Sequence, residues 1–143
     1  MRAVLQRAEE ASVEVGGEIV SRLDAPGLVA LVAAHKDDTD ADIAKMAARI
    51  QNLRILEGEE SVLQSDAPVM VVSQFTLYGR TRKGSRPSWS DAAPAPVAEP
   101  MVDKLVDLLR ESGLRVVTGR FGEMMKVSLV NDGPFTVIVD TKE

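Results

Sequence analysis

The sequence predicts one α+β domain, residues 1–143, in which a mixed, mostly antiparallel and barrel-like sheet carries two main helices. Three observations lead to this fold class. The chain has 143 residues and a hydrophobic content of 45%, which suits a single domain with one core. Short β-rich runs separated by turn residues lie near both ends of the chain. Two segments between them repeat apolar residues at helical spacing.

Three β-rich runs open the chain. RAVLQRAEEASVEV, residues 2–15, alternates in its second half and predicts one or two strands. EIVSRL, residues 18–23, and GLVALVAA, residues 27–34, predict two more strands separated by the turn DAPG. The run at 27–34 is continuously apolar, so we expect it to be buried on both faces.

Two helices are predicted in the middle of the chain. Thr39 and Asp42 resemble a capping box, with Asp in place of the usual Glu, and a core-facing stripe follows. In the second helix, Gly113 stands where a left-handed residue commonly ends the last turn. The apolar stripe of the first helix is Ile43, Met46, Ala47, Ile50 and Leu53, and that of the second is Met101, Leu105, Leu108 and Leu109.

The remaining strands are predicted in the second half of the chain. PVMVVSQFTLY, residues 68–78, is β-rich and should be buried in its first half. LRVVTG, MMKVSLVN and FTVIVD predict three separate strands, at residues 114–119, 124–131 and 135–140. The connection ILEGEESVLQSDA, residues 55–67, is polar and predicts no strand or helix.

The bulk composition excludes several kinds of site. The chain has no cysteine, which excludes disulfides and thiol chemistry, and its one histidine is His35. A zinc site or a Ser-His-Asp triad would depend on that histidine, which we expect at the surface. We therefore expect neither a metal nor another cofactor. No apolar run approaches the roughly 20 residues that cross a bilayer, and the N-terminus lacks the apolar region of a signal peptide, which favours a cytoplasmic protein.

A basic loop stands out on a chain whose net charge is −5. The segment GRTRKGSRPSWSDAAPAP, residues 79–96, is rich in Gly, Pro and Ser and is long for a structureless connection, which indicates function or disorder. A local basic loop on an acidic protein either binds phosphate or is a solvated charge run. Within this loop we expect Trp89 to pack rather than to stack on a base. Its basic residues are Arg80, Arg82, Lys83 and Arg86.

Two short segments carry the strongest functional signal. SQFTLYG, residues 73–79, ends a buried run, and NDGPFT, residues 131–136, lies between two predicted strands. On spacing alone, the first is typical of a strand end whose Ser73 and Thr76 satisfy backbone groups. The second is typical of a hairpin turn with a trans Gly-Pro peptide, because cis X-Pro bonds are rare.

Together with MRAVLQRA at the start and TGRFGEMMKVSLVNDGP near the end, these segments closely resemble the D-aminoacyl-tRNA deacylase family. The likeness covers nearly the whole chain, and the two motifs are specific as a pair. The resemblance implies a homodimeric enzyme that hydrolyses the ester between a D-amino acid and the terminal adenosine of tRNA. The implied partner is aminoacylated tRNA, with neither DNA nor a membrane.

The resemblance also implies which residues form the site. The peptide between Gly133 and Pro134 is expected to be cis and to reach from one subunit into the active site of the other. Because the basic loop directly follows the first motif, we expect it to contact the tRNA acceptor backbone. The expected catalytic motif is Ser73, Gln74, Phe75 and Thr76; the expected substrate-binding and chiral-filter residues are Asn131, Gly133, Pro134, Phe121, Met125 and Arg7; the expected tRNA contacts are Arg80, Arg82, Lys83 and Arg86.

One region departs from the family pattern. Many members carry a turn resembling GKMN after the first helix, whereas EGEESVLQSDAP, residues 57–68, is shorter here and lacks it. A contact made through that turn therefore does not carry over to this chain. Both motifs are untouched by the difference.

The residue types suit hydrolysis of an ester that is already activated. Such a reaction needs an oriented water and donors for a developing oxyanion, and the backbone N–H groups of Phe75 and Thr76 could supply the donors. Two alternatives are attack by Thr76 Oγ and activation of the water by the ribose 2′-hydroxyl. The carbonyls of Gly133 and Pro134 could bind the α-ammonium and leave no room for an L side chain, which predicts cleavage of glycyl-tRNA as well.

Two other functions compete with this interpretation. The first is a non-catalytic module that binds the acceptor end of tRNA. The presence of both intact motifs argues against it. The second is a small-molecule esterase that uses Thr76 or Ser73 as its nucleophile. Release of D-tyrosine from D-tyrosyl-tRNA by the pure protein would exclude the non-catalytic module. Near-total loss of activity in Thr76→Ala would favour a Thr76 nucleophile, and a modest loss would favour backbone catalysis.

Overall fold

The computed structural model describes residues 1–143 and shows one mixed sheet with helices on one side. No helix has the length and apolar character that crossing a bilayer requires. The strands are β1 (Arg2–Val15), β2 (Glu18–Arg22), β3 (Gly27–Ala33), β4 (Val69–Ser73), β5 (Val116–Thr118) and β6 (Lys126–Asp140). The helices are α1 (Asp40–Asn52), α2 (Val62–Ser65) and α3 (Ala95–Glu111), with a 3₁₀ turn at Phe75–Tyr78.

The sheet is organised around β1, which is long enough to serve three neighbours. It pairs antiparallel with β2, β3 and β6, while β3, β4 and β5 pair parallel to one another. The strand order along one path is β2-β1-β3-β4-β5. The first half of β1 pairs with β3 and its last residues pair with β2, whereas β6 pairs along nearly the whole opposite edge of β1. This confirms the expected α+β fold with a mixed, barrel-like sheet and two main helices.

The core lies on both faces of the sheet. The larger cluster packs α1 and α3 on the sheet through residues such as Leu28, Ile43 and Leu105. The smaller cluster lies on the opposite face and includes Val29 and Met70. Because adjacent residues of β3 contribute to different clusters, this strand is buried on both faces, as its continuous apolar sequence predicts.

The two main helices begin and end where the sequence indicates. The N-cap Thr39 and Asp42 form the predicted capping box, in which the Asp42 carboxylate accepts from the Thr39 N–H at 2.9 Å. After α3, Gly113 has a φ of 92°, the left-handed conformation that glycine adopts without strain. The connection at residues 55–67 is more ordered than expected, because Ser61 caps the short helix α2 through a capping box of its own.

The end of the PVMVVSQFTLY run differs from the sequence prediction. The strand stops at Ser73, and Phe75–Tyr78 forms a 3₁₀ turn. The Gln74 N–H donates to the Val32 carbonyl of the neighbouring strand at 2.7 Å, after which the chain leaves the sheet. The β-rich sequence therefore extends to Tyr78, whereas strand pairing ends at Ser73.

The hairpin expected at NDGPFT is wrong. The runs before and after it form one strand, β6, and both halves pair with β1 rather than with each other. Gln6 pairs with Thr136 and Ala8 pairs with Asn131, so Arg7 alone stands opposite four residues of β6. Residues 132–135, called the Gly-Pro corner below, are consequently looped out from the edge of the strand.

Candidate active site

A cleft of about 610 Å³ opens where β4 ends, between the 3₁₀ turn, the start of α3 and the segment before β6. Its lining is mostly apolar, and it shares its wall with the buried end of β4. A cavity of this size and character suits a small organic ligand or the end of a larger one. Five residues expected in the site line it together: Ser73, Gln74, Phe75, Phe121 and Met125.

The 3₁₀ turn presents free backbone donors beside this cleft. Within the turn, Leu77 N–H donates to the Gln74 carbonyl and Gly79 N–H donates to the Thr76 carbonyl. The first residues of a helical turn have no intrahelical acceptor for their own N–H groups, so those of Phe75 and Thr76 remain available. The turn can therefore supply hydrogen bonds from main chain without a charged side chain.

Thr76 has no acid–base partner. Its hydroxyl accepts a hydrogen bond from the Gln74 side-chain amide, which cannot remove a proton at neutral pH. Thr76 is exposed and stands just outside the cleft lining. A threonine nucleophile needs an adjacent base, and the geometry provides none.

Two residues of the cleft lining were not among the expected site residues. Glu123 is the only ionisable residue in the cleft lining; it lies between Phe121 and Met125 in a segment that carries the family resemblance, but it was not among the expected site residues. Trp89 lines the opposite part, packs edge-on against Phe75 with ring centroids 5.6 Å apart, and stays 42% exposed. A Cβ on Gly79 would lie 2.6 Å from the Trp89 ring, which explains the glycine. Trp89 thus packs on a neighbouring ring, as expected from the sequence, but its place in the wall of the cleft was not predicted.

The 3₁₀ turn is held from the side away from the cleft by the half-buried Arg2 and by the buried Tyr78 ring. The Arg2 guanidinium lies 4.6 Å from the centroid of the Tyr78 ring, and Arg2 also pairs with Asp140 at 3.0 Å. Burial raises the pKa of the Tyr78 hydroxyl, which has no hydrogen-bond partner. Burial also opposes ionisation of Asp140, but hydrogen bonds from the Lys142 N–H and Arg2 lower its pKa overall. Tyr78 therefore stays neutral and acts through packing.

The Gly-Pro corner contains the one cis peptide bond of the chain, between Gly133 and Pro134. The Arg7 side chain binds the backbone of the corner through two hydrogen bonds. Its Nε donates to the Asp132 carbonyl at 2.8 Å, and its Nη2 donates to the Gly133 carbonyl at 2.9 Å. The same guanidinium lies 4.9 Å from the centroid of the Phe135 ring. The corner is therefore held in one position although it projects from the strand.

The corner does not contribute to the cleft of its own chain. Asn131, Gly133 and Pro134 are exposed, and none of them lines the cleft. Arg7 lines a separate shallow groove beneath the corner, together with Asp132. One chain therefore brings Ser73, Gln74 and Phe75 of the predicted catalytic motif together with Phe121 and Met125, with Thr76 at the margin, but leaves the predicted filter residues elsewhere on its surface.

Gly133 is not required by the fold of its own chain. Its φ is not positive, and a Cβ built on it would have no atom within 4 Å. All nine other glycines have either a positive φ or a close neighbour that excludes a side chain. The absence of a side chain at 133 thus relieves no strain within this chain.

The basic loop is closed at its base and open at its tip. Arg80 and Ser88 exchange backbone hydrogen bonds of 2.8 and 3.1 Å. The Arg80 guanidinium also makes two hydrogen bonds to Asp91, at 2.6 and 2.8 Å, which raise the pKa of Arg80 and lower that of Asp91. Arg80 is thus occupied within the protein. The exposed cations without an ion-pair partner are Arg82, Lys83 and Arg86.

Comparison with known proteins places the chain among hydrolases of the deacylase class. The family model described as "D-Tyr-tRNA(Tyr) deacylase" matches residues 4–140, and the chain belongs to this family. A D-aminoacyl-tRNA deacylase of Thermobifida fusca is 55% identical over 140 residues, covering 98% of this chain and 99% of the relative. The corresponding protein of Cutibacterium acnes is 54% identical over 143 residues, covering 100% and 99%.

Two solved structures share the fold over almost the whole chain. One is titled "c-Myc DNA Unwinding Element Binding Protein" and superimposes with a TM-score of 0.91 at 35% identity, covering 98% of each chain. The other is a probable eukaryotic D-amino acid tRNA deacylase, with a TM-score of 0.86 at 17% identity, covering 96% of this chain and 97% of the other. At that lower identity the likeness shows the fold alone.

Proposed function

We propose that residues 1–143 form one catalytic domain that hydrolyses the ester of D-aminoacyl-tRNA and glycyl-tRNA and spares L-aminoacyl-tRNA. Family membership and the names of the relatives support the reaction. The apolar cleft beside the 3₁₀ turn has room for the aminoacylated adenosine. Since charged tRNA serves translation, the enzyme acts in the cytoplasm.

The observation that carries this proposal is the exposed Gly133, which has no intrachain need to be glycine. A residue that the fold does not require is explained by something outside the chain. In the proposed complex, the carbonyls of Gly133 and Pro134 accept from the α-ammonium, and the backbone fills the space that an L side chain would need. Glycine has no side chain, so glycyl-tRNA passes the same filter.

Two copies of the chain complete the site. The corner projects into solvent and is absent from its own cleft, so it reaches the cleft of a twofold-related partner. Apolar residues are exposed on the same strand, with Ile138 at 73% and Val130 at 43% exposure, which suits a covered surface. In an isologous dimer each subunit lends its corner and borrows one, giving two equal sites.

Chemistry in the cleft relies on main-chain donors. The N–H groups of Phe75 and Thr76 bind the developing oxyanion, where one such donor contributes about 3 kcal/mol. Water attacks the ester carbonyl, a proton passes to the leaving 3′-oxygen, and free amino acid and tRNA are released. Glu123 or the ribose 2′-hydroxyl orients the water, and a substrate ending in 2′-deoxyadenosine separates these two routes.

The tRNA acceptor strand leaves the cleft along the basic loop. Arg82, Lys83 and Arg86 are exposed and unpaired, and they surround an open groove with Arg80 and Ser88. Their charges match the phosphate backbone. Arg80 shapes the loop through Asp91 while the other three face the strand.

The decisive experiment measures amino-acid release from D-tyrosyl-, L-tyrosyl- and glycyl-tRNA by the purified protein. We expect release from the D and glycyl substrates and none above the spontaneous rate from the L substrate. Equal release from D and L would refute the backbone filter. Binding of tRNA without release from any substrate would instead establish the non-catalytic module, and resistance of glycyl-tRNA alone would show that exclusion is not the whole filter.

A further inference from the structure

A relay of three side chains closes the neck of the Gly-Pro corner. Gln6 Nε2 donates to Thr136 Oγ1 at 3.1 Å, and Thr136 Oγ1 donates to Asn131 Oδ1 at 3.3 Å. Asn131 Nδ2 then donates to the carbonyls of Arg7, at 2.9 Å, and Phe135, at 3.1 Å. These contacts join the two residues between which the corner leaves and re-enters β6.

The relay replaces main-chain pairing that the corner interrupts. Arg7 has no partner residue on β6, because the ladder steps directly from Gln6–Thr136 to Ala8–Asn131. A backbone carbonyl without a ladder partner must accept from a side chain or from water instead. The Asn131 amide supplies that partner from its side chain, so the neck stays closed where the ladder is broken.

The relay also has a single direction. The Gln6 amide nitrogen can only donate, which makes the Thr136 hydroxyl an acceptor from Gln6 and a donor to Asn131. The Asn131 oxygen must therefore face Thr136, which leaves its amide nitrogen to face the two carbonyls. Loss of one side chain of the relay therefore removes the hydrogen bond that orients the next side chain.

We propose that Gln6 and Thr136 are positioning residues that set where the Gly-Pro corner stands and thereby tune discrimination between D and L substrates. Arg7 grips the corner from inside, and the relay fixes its two ends. A loop of four residues with both ends and its interior held has little freedom left. The effect on selectivity rests on the proposed function, whereas the effect on the corner's mobility does not.

The test compares Thr136→Val, which keeps the shape and removes the hydroxyl, with Thr136→Ser, which restores it. Gln6→Leu removes the other end of the relay. Ser128→Ala is the matched control, because Ser128 is an exposed hydroxyl on the same strand without a hydrogen-bond partner. Amide hydrogen exchange of Asp132, Gly133 and Phe135, the three corner residues with an N–H group, and the separate kcat and KM values for D- and L-tyrosyl-tRNA are measured on the full chain.

We expect exchange in the corner to become about fivefold faster in Thr136→Val and Gln6→Leu, and to return toward the parent rate in Thr136→Ser. The D-to-L ratio of kcat/KM should fall about tenfold, mainly because cleavage of the L substrate rises. The Ser128→Ala control should change neither quantity, and a loss of fold would appear as faster exchange everywhere.

Unchanged exchange in both relay variants overturns the inference. Faster exchange with an unchanged D-to-L ratio also overturns it, since the corner would then move without affecting selectivity. Failure of the parent protein to release D-tyrosine refutes the proposed function instead. In that case the exchange comparison still decides whether the relay holds the corner.

Discussion

Arg2 Nη1 donates a hydrogen bond to the Leu77 carbonyl at 2.9 Å, which ties the start of β1 to the turn that borders the cleft. The same guanidinium covers the Tyr78 ring and pairs with Asp140 at the end of β6. One side chain thus joins the first strand, the last strand and the 3₁₀ turn. The position of the backbone donors in that turn depends on a residue that lies outside the cleft.

Replacing Arg2 with Met should lower kcat for D-tyrosyl-tRNA about tenfold or more, because small displacements of aligned groups are costly to the transition state. The free energy of unfolding should fall by about 1–2 kcal/mol through the lost hydrogen bond and ion pair. Steady-state kinetics and urea unfolding measure the two effects. Arg22→Met, at an exposed arginine without an ion pair, is the control. Parent-like kcat in Arg2→Met would show that the turn needs no anchor.

Gly133→Ala tests the filter directly. No atom lies within 4 Å of a Cβ at this position and the φ is not positive, so the free energy of unfolding should change by less than about 0.5 kcal/mol. Cleavage of D-tyrosyl-tRNA should fall at least about tenfold, because the new methyl group enters the partner's cleft.

Gly17→Ala is the converse control for that variant. Gly17 has a φ of 84° in the exposed turn after β1, so alanine there should cost about 1–2 kcal/mol of stability. Its activity at low temperature should remain at the parent level. If Gly133→Ala instead destabilised the protein and left cleavage intact, the glycine would belong to the fold and not to the site.

Local patterns predicted the elements whose causes are local. The capping box at Thr39 and Asp42, the left-handed Gly113 and the apolar run of β3 are each specified by neighbouring residues. These features positioned α1, α3 and the centre of the sheet. The candidate site residues were predicted from the family resemblance. A site built from backbone groups has no acid–base pair or metal-ligand spacing by which the sequence alone could reveal it.

The features that local patterns missed depend on distant partners. NDGPFT has the composition of a hairpin turn, but both halves of β6 pair with β1, so the interruption is set by the register of Gln6 and Ala8 on another strand. The strand before Phe75 ends because the chain turns out of the sheet beyond its bond to Val32. Glu123 enters the cleft through tertiary packing, which the sequence around it does not encode.

The basic loop should give tRNA binding a measurable salt dependence. Arg82→Gln combined with Lys83→Gln should weaken binding and reduce the slope of log K against log salt by about 1.5, because two phosphate contacts are lost. Binding is measured by filter retention or fluorescence across a salt series. The control is Arg22→Gln combined with Arg54→Gln, which removes the same charge from exposed, unpaired positions on other elements. Equal slopes in the two double variants would exclude the loop from the tRNA interface.

Stability should decline in acid because of carboxylates whose pKa is lowered by folding. The hydrogen bond from the Thr39 N–H holds the pKa of Asp42 far below its usual value. Burial of the carboxylate opposes this shift, and the Lys142 ammonium at 3.0 Å adds to it. A lowered pKa gives stability that is present above the unfolded value, about 4, and is lost as pH falls below it. Asp91 and Asp140 are shifted in the same direction and add to the same loss.

Urea unfolding from pH 7 to pH 3 measures this effect. The parent should keep its free energy of unfolding down to about pH 5 and lose it steadily below pH 4. Asp42→Asn should lose about 1–2 kcal/mol at pH 7 through the broken capping box, with a shallower decline in acid. The exposed Asp103→Asn, which removes a carboxylate without an ion pair, should follow the parent curve. A parallel decline in Asp42→Asn would assign the acid sensitivity to other groups.

Subunit complementation decides whether the corner works on the partner's cleft. Ala95→Trp should block the cleft, because Ala95 is an exposed lining residue at the start of α3, while Gly133→Ala should disable the corner. Each variant alone should be strongly impaired, with at most about a tenth of the parent activity. After mixing in equal amounts and subunit exchange, half of the dimers are hybrids, and each hybrid pairs one intact cleft with one intact corner. About a quarter of the parent activity should therefore return. No recovery despite hybrid formation, measured by mass spectrometry of the intact dimers, would mean that each chain supplies its own filter.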